Sequence, residues 1–165
     1  MIVDIKNKRF LITGSTRGIG FGIAKRLINE KCKVVITGKN PINLKKAIHK
    51  INSKNLYGFC SDLTNENEID DAFDFTIKKL SGIDILICNL GSGKFKSKNF
   101  QHIDEWERIF NLNFWSTFKT ITKSIKYLKK TKGNIICISS IVGNVKIKNS
   151  PIPYSLSKNL LNKYC

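Results

Sequence analysis

Short runs of apolar and β-branched residues alternate along this chain with longer segments whose apolar positions recur at helical spacing. The runs Arg9–Thr13, Lys33–Thr37, Leu56–Cys60, Ile83–Cys88 and Asn134–Ile138 read as strands. They are nearly continuous in apolar character, as strands covered on both faces require. Between them Ile19, Ile23, Ala24, Leu27 and Ile28 fall on one helical stripe, Leu44, Ala47, Ile48 and Ile51 on a second, and Ile69, Phe73, Ile77 and Leu80 on a third. A fourth helix is predicted through the long stretch from Trp106 to Leu128. Thr64 and Asn67 ahead of the third helix, and Asp104 ahead of Trp106, read as caps beside acidic first turns. Ser139 to Pro153, with Gly143, Asn144, Asn149, Ser150, Pro151 and Pro153, predicts an irregular loop, and a fifth helix should begin near Tyr154. Strands alternating with helices predict an α/β, doubly wound parallel sheet, because right-handed crossovers place helices on both faces.

Composition narrows the function classes. A 165-residue chain with 41% hydrophobic residues excludes collagen-like and disordered classes, and with no internal repeat or low-complexity linker it reads as a single domain over residues 1–165. No apolar run approaches the roughly 20 residues needed to cross a bilayer. Met1 to Phe10 alternates charge with apolar residues, unlike a secretory leader, so a cytoplasmic protein is expected with no membrane partner. The 29 Lys and Arg against 12 Asp and Glu give a net charge of +17. The lysines are spread from Lys6 to Lys163 alongside abundant Asn and Ile, which is the mark of a biased composition. Weak, salt-sensitive sticking to polyanions is expected, with no specific nucleic-acid partner. Cys32, Cys60, Cys88, Cys137 and Cys165 form no C-x-x-C pair and have no His at ligand spacing, so no metal is expected. They read as small buried hydrophobes.

The chemistry begins where the first strand runs into Thr13-Gly14-Ser15-Thr16-Arg17-Gly18-Ile19-Gly20 and then into a helix. Glycines there let the backbone turn sharply and approach a ligand with no Cβ in the way. The free N–H groups of the helix start favour phosphate. In its strand–turn–helix context this is a dinucleotide cradle of Rossmann type.

The spacing Gly14-x3-Gly18-x-Gly20 resembles the cofactor loop of the short-chain dehydrogenase/reductase family, and further motifs follow in that family's order. Asp62 in Cys60-Ser61-Asp62-Leu63-Thr64 stands where the family has an acidic residue beside the adenine. Asn89-Leu90-Gly91 is similar to its Asn-Ala-Gly, with Leu90 a departure that crowds the cofactor side. Asn113 matches its catalytic Asn, Ser140 in Ser139-Ser140-Ile141-Val142-Gly143 its catalytic serine, and Tyr154-Ser155-Leu156-Ser157-Lys158 its Tyr-x-x-x-Lys pair. The resemblance covers nearly the whole chain and implies the sheet order 3-2-1-4-5. It implies cofactor contacts from Gly14, Ser15, Thr16, Arg17, Gly18, Ile19, Gly20, Lys39, Asp62, Leu63, Asn89, Gly91, Tyr154 and Lys158, and catalytic roles for Asn113, Ser140, Tyr154 and Lys158.

The residue chemistry agrees with these roles. Tyr154 and Lys158, four apart, share one helix face, and an ammonium near a phenol favours its phenolate form, which suits Tyr154 to proton transfer. Ser140 is placed to hydrogen-bond a substrate oxygen as charge develops on it. The resemblance implies that Lys158 also holds the nicotinamide ribose and that Asn113 supports a proton-returning water chain. A nicotinamide site that takes NAD usually has an acidic residue at the end of the second strand for the ribose 2′-hydroxyl. Here that strand ends Thr37-Gly38-Lys39-Asn40, and Arg17 and Lys39 offer cations instead, a pattern similar to the NADP-preferring members. NADP is therefore expected before NAD.

Family members usually continue through two more strands and a substrate lid, so the chain is expected to be incomplete at its C-terminus. The fifth strand would then be an open edge inclined to self-association. The expected function is NADP-dependent hydride transfer between nicotinamide and a carbonyl or alcohol substrate, small or carrier-bound, in a homo-oligomer. A dinucleotide-binding remnant without turnover is the alternative. Within the family the 3-oxoacyl-carrier-protein reductases are the nearest general likeness. Lys126, Lys129, Lys130 and Lys132 read first as a solvated helix end and second as a surface for an acidic carrier protein.

Overall fold

The β-branched runs form five parallel strands in the order β3-β2-β1-β4-β5: β1 Arg9–Ile12, β2 Lys33–Gly38, β3 Leu56–Cys60, β4 Ile85–Cys88 and β5 Asn134–Cys137. The computed structural model describes residues 4–95 and 102–165. Met1–Val3, part of the segment expected not to be a leader, lie outside them. Register places Phe10 beside Val34 and Ile85, and Ile12 beside Ile36 and Ile87. Side chains alternate across a strand, so Phe10, Ile12, Val34 and Ile36 enter one core with Ala24, Leu27, Leu44 and Ala47. Leu11, Val35 and Leu86 enter the other, with Ile69, Phe73, Ile121 and Leu128. The doubly wound sheet expected from the pattern is the fold observed.

The helices are α1 Gly18–Asn29, α2 Pro41–Ile51, α3 Glu66–Leu80, α4 Ile103–Phe110, α5 Ser116–Thr131 and α6 Ile152–Tyr164. The expected single helix from Trp106 to Leu128 is divided by a π turn at Asn111–Trp115, so Asn113 lies at its widened centre. The cap of α3 is Asn65, whose side chain accepts from the Asn67 N–H, in place of Thr64 or Asn67. Asp104 lies inside the first turn of α4 and does not cap it. The expected loop from Ser139 to Pro153 contains a 3-10 turn at Ile141–Gly143, and α6 starts at Ile152, ahead of Tyr154. Asn159 Nδ2 donates to Gly143 O and Asn162 Nδ2 to Asn144 Oδ1, which fastens this loop to α6.

Two of the cysteines, Cys32 and Cys88, are buried as expected. Cys60 and Cys165 are exposed and Cys137 is half-buried, so the reading of all five as core residues is corrected. Cys60 and Cys137 fail it because each ends an edge strand, β3 or β5, whereas Cys88 ends the interior strand β4. Among the described residues no helix is long and apolar enough to cross a membrane, and no cluster of His, Cys, Asp or Glu suits a metal.

Candidate active site

Parallel strands all end on the same side, and the turns after β1, β2, β3 and β4 open a cleft there of about 620 Å³. Gly14 leaves β1 at φ +57° and Gly18 enters α1 at φ +59°, left-handed conformations that favour glycine. A Cβ on Gly14 would lie 2.9 Å from Leu90 Cα, and one on Gly20 would lie 2.5 Å from Asn89 Nδ2 and 2.9 Å from Ser15 Cα. The departure Leu90 thus packs under the glycine turn and lines the cleft with it. Gly20 lets α1 press against the strand ends.

The turn is held from both sides. Toward β4, Asn89 Nδ2 donates to Thr13 O at 3.1 Å and Gly14 O at 2.9 Å, while Thr13 Oγ1 accepts from the N–H groups of Asn89 and Leu90. Toward β2, the Ser15 N–H donates to Thr37 O, and Ser15 Oγ donates to Ile12 O and accepts from the Thr37 N–H. Ser15 is fully buried by these bonds. Its side chain is spent on the fold, and neither Ser15 nor Gly20 lines the cleft. Thr16, Arg17, Gly18 and Ile19 do line it. The first turn of α1, beside the cleft, has no side-chain cap among the described residues.

At the end of the cleft beside β2 and β3, Lys39 Nζ meets Asp62 Oδ2 at 3.3 Å. Partial burial pushes the Asp62 carboxyl up, but hydrogen bonds from Thr64 and the Lys39 ammonium outweigh it and leave the group below its usual range. Glu68 reaches back from α3 to accept from the Asp62 N–H at 2.7 Å, which fixes the loop. Leu63 packs beneath Asp62 in the same wall.

At the other end Tyr154 and Lys158 project from α6 into the cleft. Lys158 is 3% exposed and donates from Nζ to Ile138 O at 2.9 Å, and burial draws its pKa down. The segment after β4 crosses just above: a Cβ on Gly91 would stand 2.7 Å from Asn113 Oδ1 and 3.3 Å from Lys158 Nζ, and one on Gly93 3.3 Å from the Tyr154 ring. Asn113, completely buried, clamps that segment. Its Oδ1 accepts from the Ser92 N–H at 2.9 Å, and its Nδ2 donates to Ser92 O and Ile109 O. Both of its amide N–H donors and one acceptor site of Oδ1 are thereby used.

Glycine turn, Lys39, Asp62, Leu63, Asn89, Gly91, Tyr154 and Lys158 therefore share one cleft, with Asn113 behind its wall. Ser140 does not line it, whereas Ser139 does. Ser139 Oγ is taken up by a short hydrogen bond to Asn162 Oδ1. Ser140 is half-buried at the start of the 3-10 turn, and its hydroxyl makes no hydrogen bond among the described residues. Sequence reasoning missed Arg108, which enters the cleft from α4 with Nη2 donating to Lys94 O and to Glu105 Oε1. It also missed the clamp on Ser92. Neither leaves a local signal, since both depend on segments brought together by the fold.

Similarity to known proteins follows the same outline. Residues 8–165 match the family model described as short chain dehydrogenase. An uncharacterized oxidoreductase of Bacillus subtilis, YvrD, is 34% identical over 98% of this chain and 61% of its own length. The 3-oxoacyl-[acyl-carrier-protein] reductase FabG of Aquifex aeolicus is 34% identical over 87% of this chain and 59% of its own. A Caenorhabditis elegans short-chain dehydrogenase/reductase of unknown function, crystallised with cofactor, superposes with a TM-score of 0.91 at 27% identity, covering 98% of this chain and 63% of that one. The chain thus spans about three fifths of the length of these relatives. With a parallel sheet in the order 3-2-1-4-5, a glycine turn on its first strand and the family model matched from Lys8 to the last residue, this chain belongs to the short-chain dehydrogenase family.

Proposed function

We propose that the cleft binds NADP and that the chain carries the reacting half of an oxidoreductase acting on a carbonyl or alcohol, either a small molecule or a carrier-bound acyl group. One observation carries this reading: a proton-transferring pair, Tyr154 and Lys158, opens into the same cleft as a glycine turn built for a phosphate. The residues present fit a dinucleotide. Gly14 packs against Leu90 and Gly91 against Asn113 and Lys158, closer than a Cβ allows, which brings the turn and the strand-end segments together around the cleft, and among the described residues the first turn of α1 has no side-chain cap. Bound there, the nicotinamide would supply the hydride.

The chain's residues would do the rest. The α1 N–H groups and the glycine turn hold the pyrophosphate, and Asp62 with Leu63 borders the adenine. Lys158 holds the ribose hydroxyls, and the Tyr154 phenol, one turn away on the same helix face, gives or takes the proton at the substrate oxygen. Ser140 Oγ has no hydrogen-bond partner among the described residues but stands outside the cleft lining, so it would donate to that oxygen only for a substrate that reaches past Ser139. Asn113 acts by position. With its amide bonded to Ser92 and Ile109, it fixes the segment over Tyr154.

Titration of the protein with NADPH and NADH by calorimetry, followed by reduction of a carbonyl panel, tests this reading. NADPH is expected to bind more tightly and to raise the thermal midpoint, since a ligand bound only to the native state stabilises it. Failure to bind either dinucleotide overturns the proposal. Binding without reduction, at the level of a Tyr154→Phe control, would confine the function to dinucleotide binding.

Preference for NADP is supported by two cations and no carboxylate after β2, but the pairing of Lys39 with Asp62 divides their effects. Arg17 lines the cleft and makes no ion pair among the described residues. Arg17→Ala should therefore weaken NADP binding about tenfold, and Lys39→Ala about threefold, because Asp62 already neutralises part of that charge and both contacts are exposed. NAD binding should change by less than about twofold. Equal losses for both cofactors would refute the assignment.

We also propose that the chain is cytoplasmic and associates with copies of itself. Ile135 and Ile136 on the edge strand β5, the latter 47% exposed, are apolar and exposed, and so are Leu156 and Leu160 of α6. Ile136→Lys is expected to shift sedimentation toward monomer at micromolar concentration.

A further inference from the structure

Along the chain the lysines are spread throughout, but the fold gathers a set of them at one end. In a doubly wound sheet the helices run antiparallel to the strands, so helix C-termini and strand N-termini share the end opposite the cleft. Basic residues occupy the last helical turns, with Lys50 in α2, Lys79 in α3 and Lys130 in α5, where they complement the helix dipole. Glu66 and Glu68 take the first turn of α3 for the same reason, at the cleft end. Parallel alignment adds these local preferences into one basic face.

The strand starts continue it. Lys54 lies two residues before β3, Lys33 opens β2, Lys8 immediately precedes β1 and Lys132 lies two residues before β5. All four are exposed. Main-chain bonds hold their segments side by side: Lys33 N–H donates to Lys8 O, Val34 N–H to Asn55 O, Asp84 N–H to Arg9 O and Asn134 N–H to Asp84 O. Adjacent strands lie about 4.8 Å apart, so the row from β3 to β5 is roughly 19 Å long. Among the described residues none of the four is in an ion pair, whereas Glu30 and Asp84 at this end are taken by Arg26 and Arg9.

We propose that this face binds the sugar–phosphate backbone of nucleic acid without reading its sequence. A linear row of lysines matches a linear polyanion: on one strand of a duplex a phosphate follows every ~3.4 Å along the axis, so the row spans about five or six. Between the lysines stand exposed Asn7, Asn52, Ser81 and Asn134, whose amides and hydroxyl hydrogen-bond phosphate and sugar oxygens. Nothing there reads a base. Arg9 and Arg26 are committed to carboxylates, and among the described residues the loops of this face carry no exposed aromatic or large apolar side chain. The same lack of apolar anchors disfavours a bilayer, which a protein surface grips with apolar side chains as well as charge. An acidic carrier protein serving the cleft does not fit this face, because the cleft opens at the other ends of the strands. The proposal is independent of the cofactor reading above.

The test follows the fluorescence anisotropy of a labelled single-stranded RNA of mixed sequence, about 20 nucleotides long, titrated with the full chain across a range of salt. One variant combines Lys8→Gln, Lys33→Gln, Lys54→Gln and Lys132→Gln. Its control loses the same charge elsewhere, at exposed Lys25, Lys45, Lys146 and Lys148, each replaced by Gln. At about 50 mM salt the face variant is expected to bind at least tenfold more weakly, with the slope of log K against log salt shallower by about 0.7 per lost phosphate contact, or roughly 3 in all. The control should stay within about threefold of the wild type. An RNA of scrambled sequence should bind equally, and saturating NADPH should displace neither. Absence of salt-dependent binding overturns the proposal. Equal losses in the two variants do so as well, since net charge alone would then account for binding. So would displacement by NADPH, which places the RNA in the cleft, or tighter binding to phosphatidylserine-rich vesicles than to RNA. Should the face variant fail to fold, acetylation of the wild type decides. Bound RNA should protect Lys8, Lys33, Lys54 and Lys132 several-fold more than Lys25, Lys45, Lys146 and Lys148, and uniform protection overturns the proposal. A chain that fails to bind NADPH counts against the cofactor site and leaves the RNA result standing.

Discussion

Replacing Tyr154 by Phe is expected to lower carbonyl reduction by about 10²–10⁴-fold, the usual contribution of a positioned acid or base, while NADPH binding changes by less than about twofold. The substitution removes one hydroxyl and leaves the ring, which the Gly93 backbone covers closely. The phenol makes no hydrogen bond among the described residues, so deleting it leaves no partner unsatisfied and the fold should be unchanged. Lys158→Met should behave differently. Its ammonium is buried and bonded to Ile138 O, so its loss should weaken both cofactor binding and turnover. Steady-state kinetics beside calorimetry separate the two. A Tyr154→Phe protein that retains more than about a tenth of the activity would remove Tyr154 from the proton path.

The largest expected effect on stability lies at the opposite end of the sheet. Arg9 opens β1 and grips Asp84 with two side-chain bonds, Nε to Oδ2 at 2.9 Å and Nη2 to Oδ1 at 2.8 Å, while Nη1 donates to Ser81 O. The main chains exchange a further bond, Asp84 N–H to Arg9 O, and Asp84 O accepts from Asn134 N–H, so this pair joins β1, β4 and the start of β5. It is largely shielded, with side chains 24% and 15% exposed. Truncating either partner leaves a half-buried charge unpaired, and Arg9→Ala or Asp84→Ala should each cost about 2–3 kcal/mol, below the figure for a fully buried pair. In a chain of this size that lowers the thermal midpoint by roughly 5–10 °C. The double variant should lose less than the sum of the two.

The pair also predicts a pH dependence. Hydrogen bonds from Arg9 outweigh burial and hold the Asp84 carboxyl below its usual range. A carboxylate depressed by folding contributes stability that is present above its unfolded pKa, near ~3.9, and is lost as pH falls through the lower folded value. Acid melts of the wild type should therefore fall more steeply below about pH 4 than those of Arg9→Ala. Parallel curves would show that the pair contributes no proton-linked stability. NADPH binding should survive Arg9→Ala, because the cleft lies at the other ends of the strands.

Strand positions were legible because a parallel strand must be apolar on both faces, and Lys33–Gly38 or Leu56–Cys60 can hardly be read otherwise. The glycine turn was legible for the same local reason: a strand, a turn that needs left-handed φ at Gly14 and Gly18, and a helix follow one another directly in the chain. Tyr154 and Lys158 were placed on one face by helical spacing alone. The π turn was not legible, since one extra residue per turn changes no composition. What accompanies it is the Asn113 amide reaching Ser92, a contact between segments far apart in sequence. Of the adjacent hydroxyls Ser139 and Ser140, which one is spent depends on Asn162 two turns along α6.

By itself, then, the sequence determined the α/β class, the dinucleotide-type turn and the identity of the candidate proton-transfer pair, because each follows from periodicity or conformational demand within a few consecutive residues. Only the tertiary structure decided that Lys39 is partly neutralised by Asp62, that Arg108 enters the cleft, that Asn113 holds Ser92, and that Cys88 and Cys137 end their strands side by side. Those are distances between side chains on different elements, which helical and strand periods do not encode and which the stacking of helices on a parallel sheet sets.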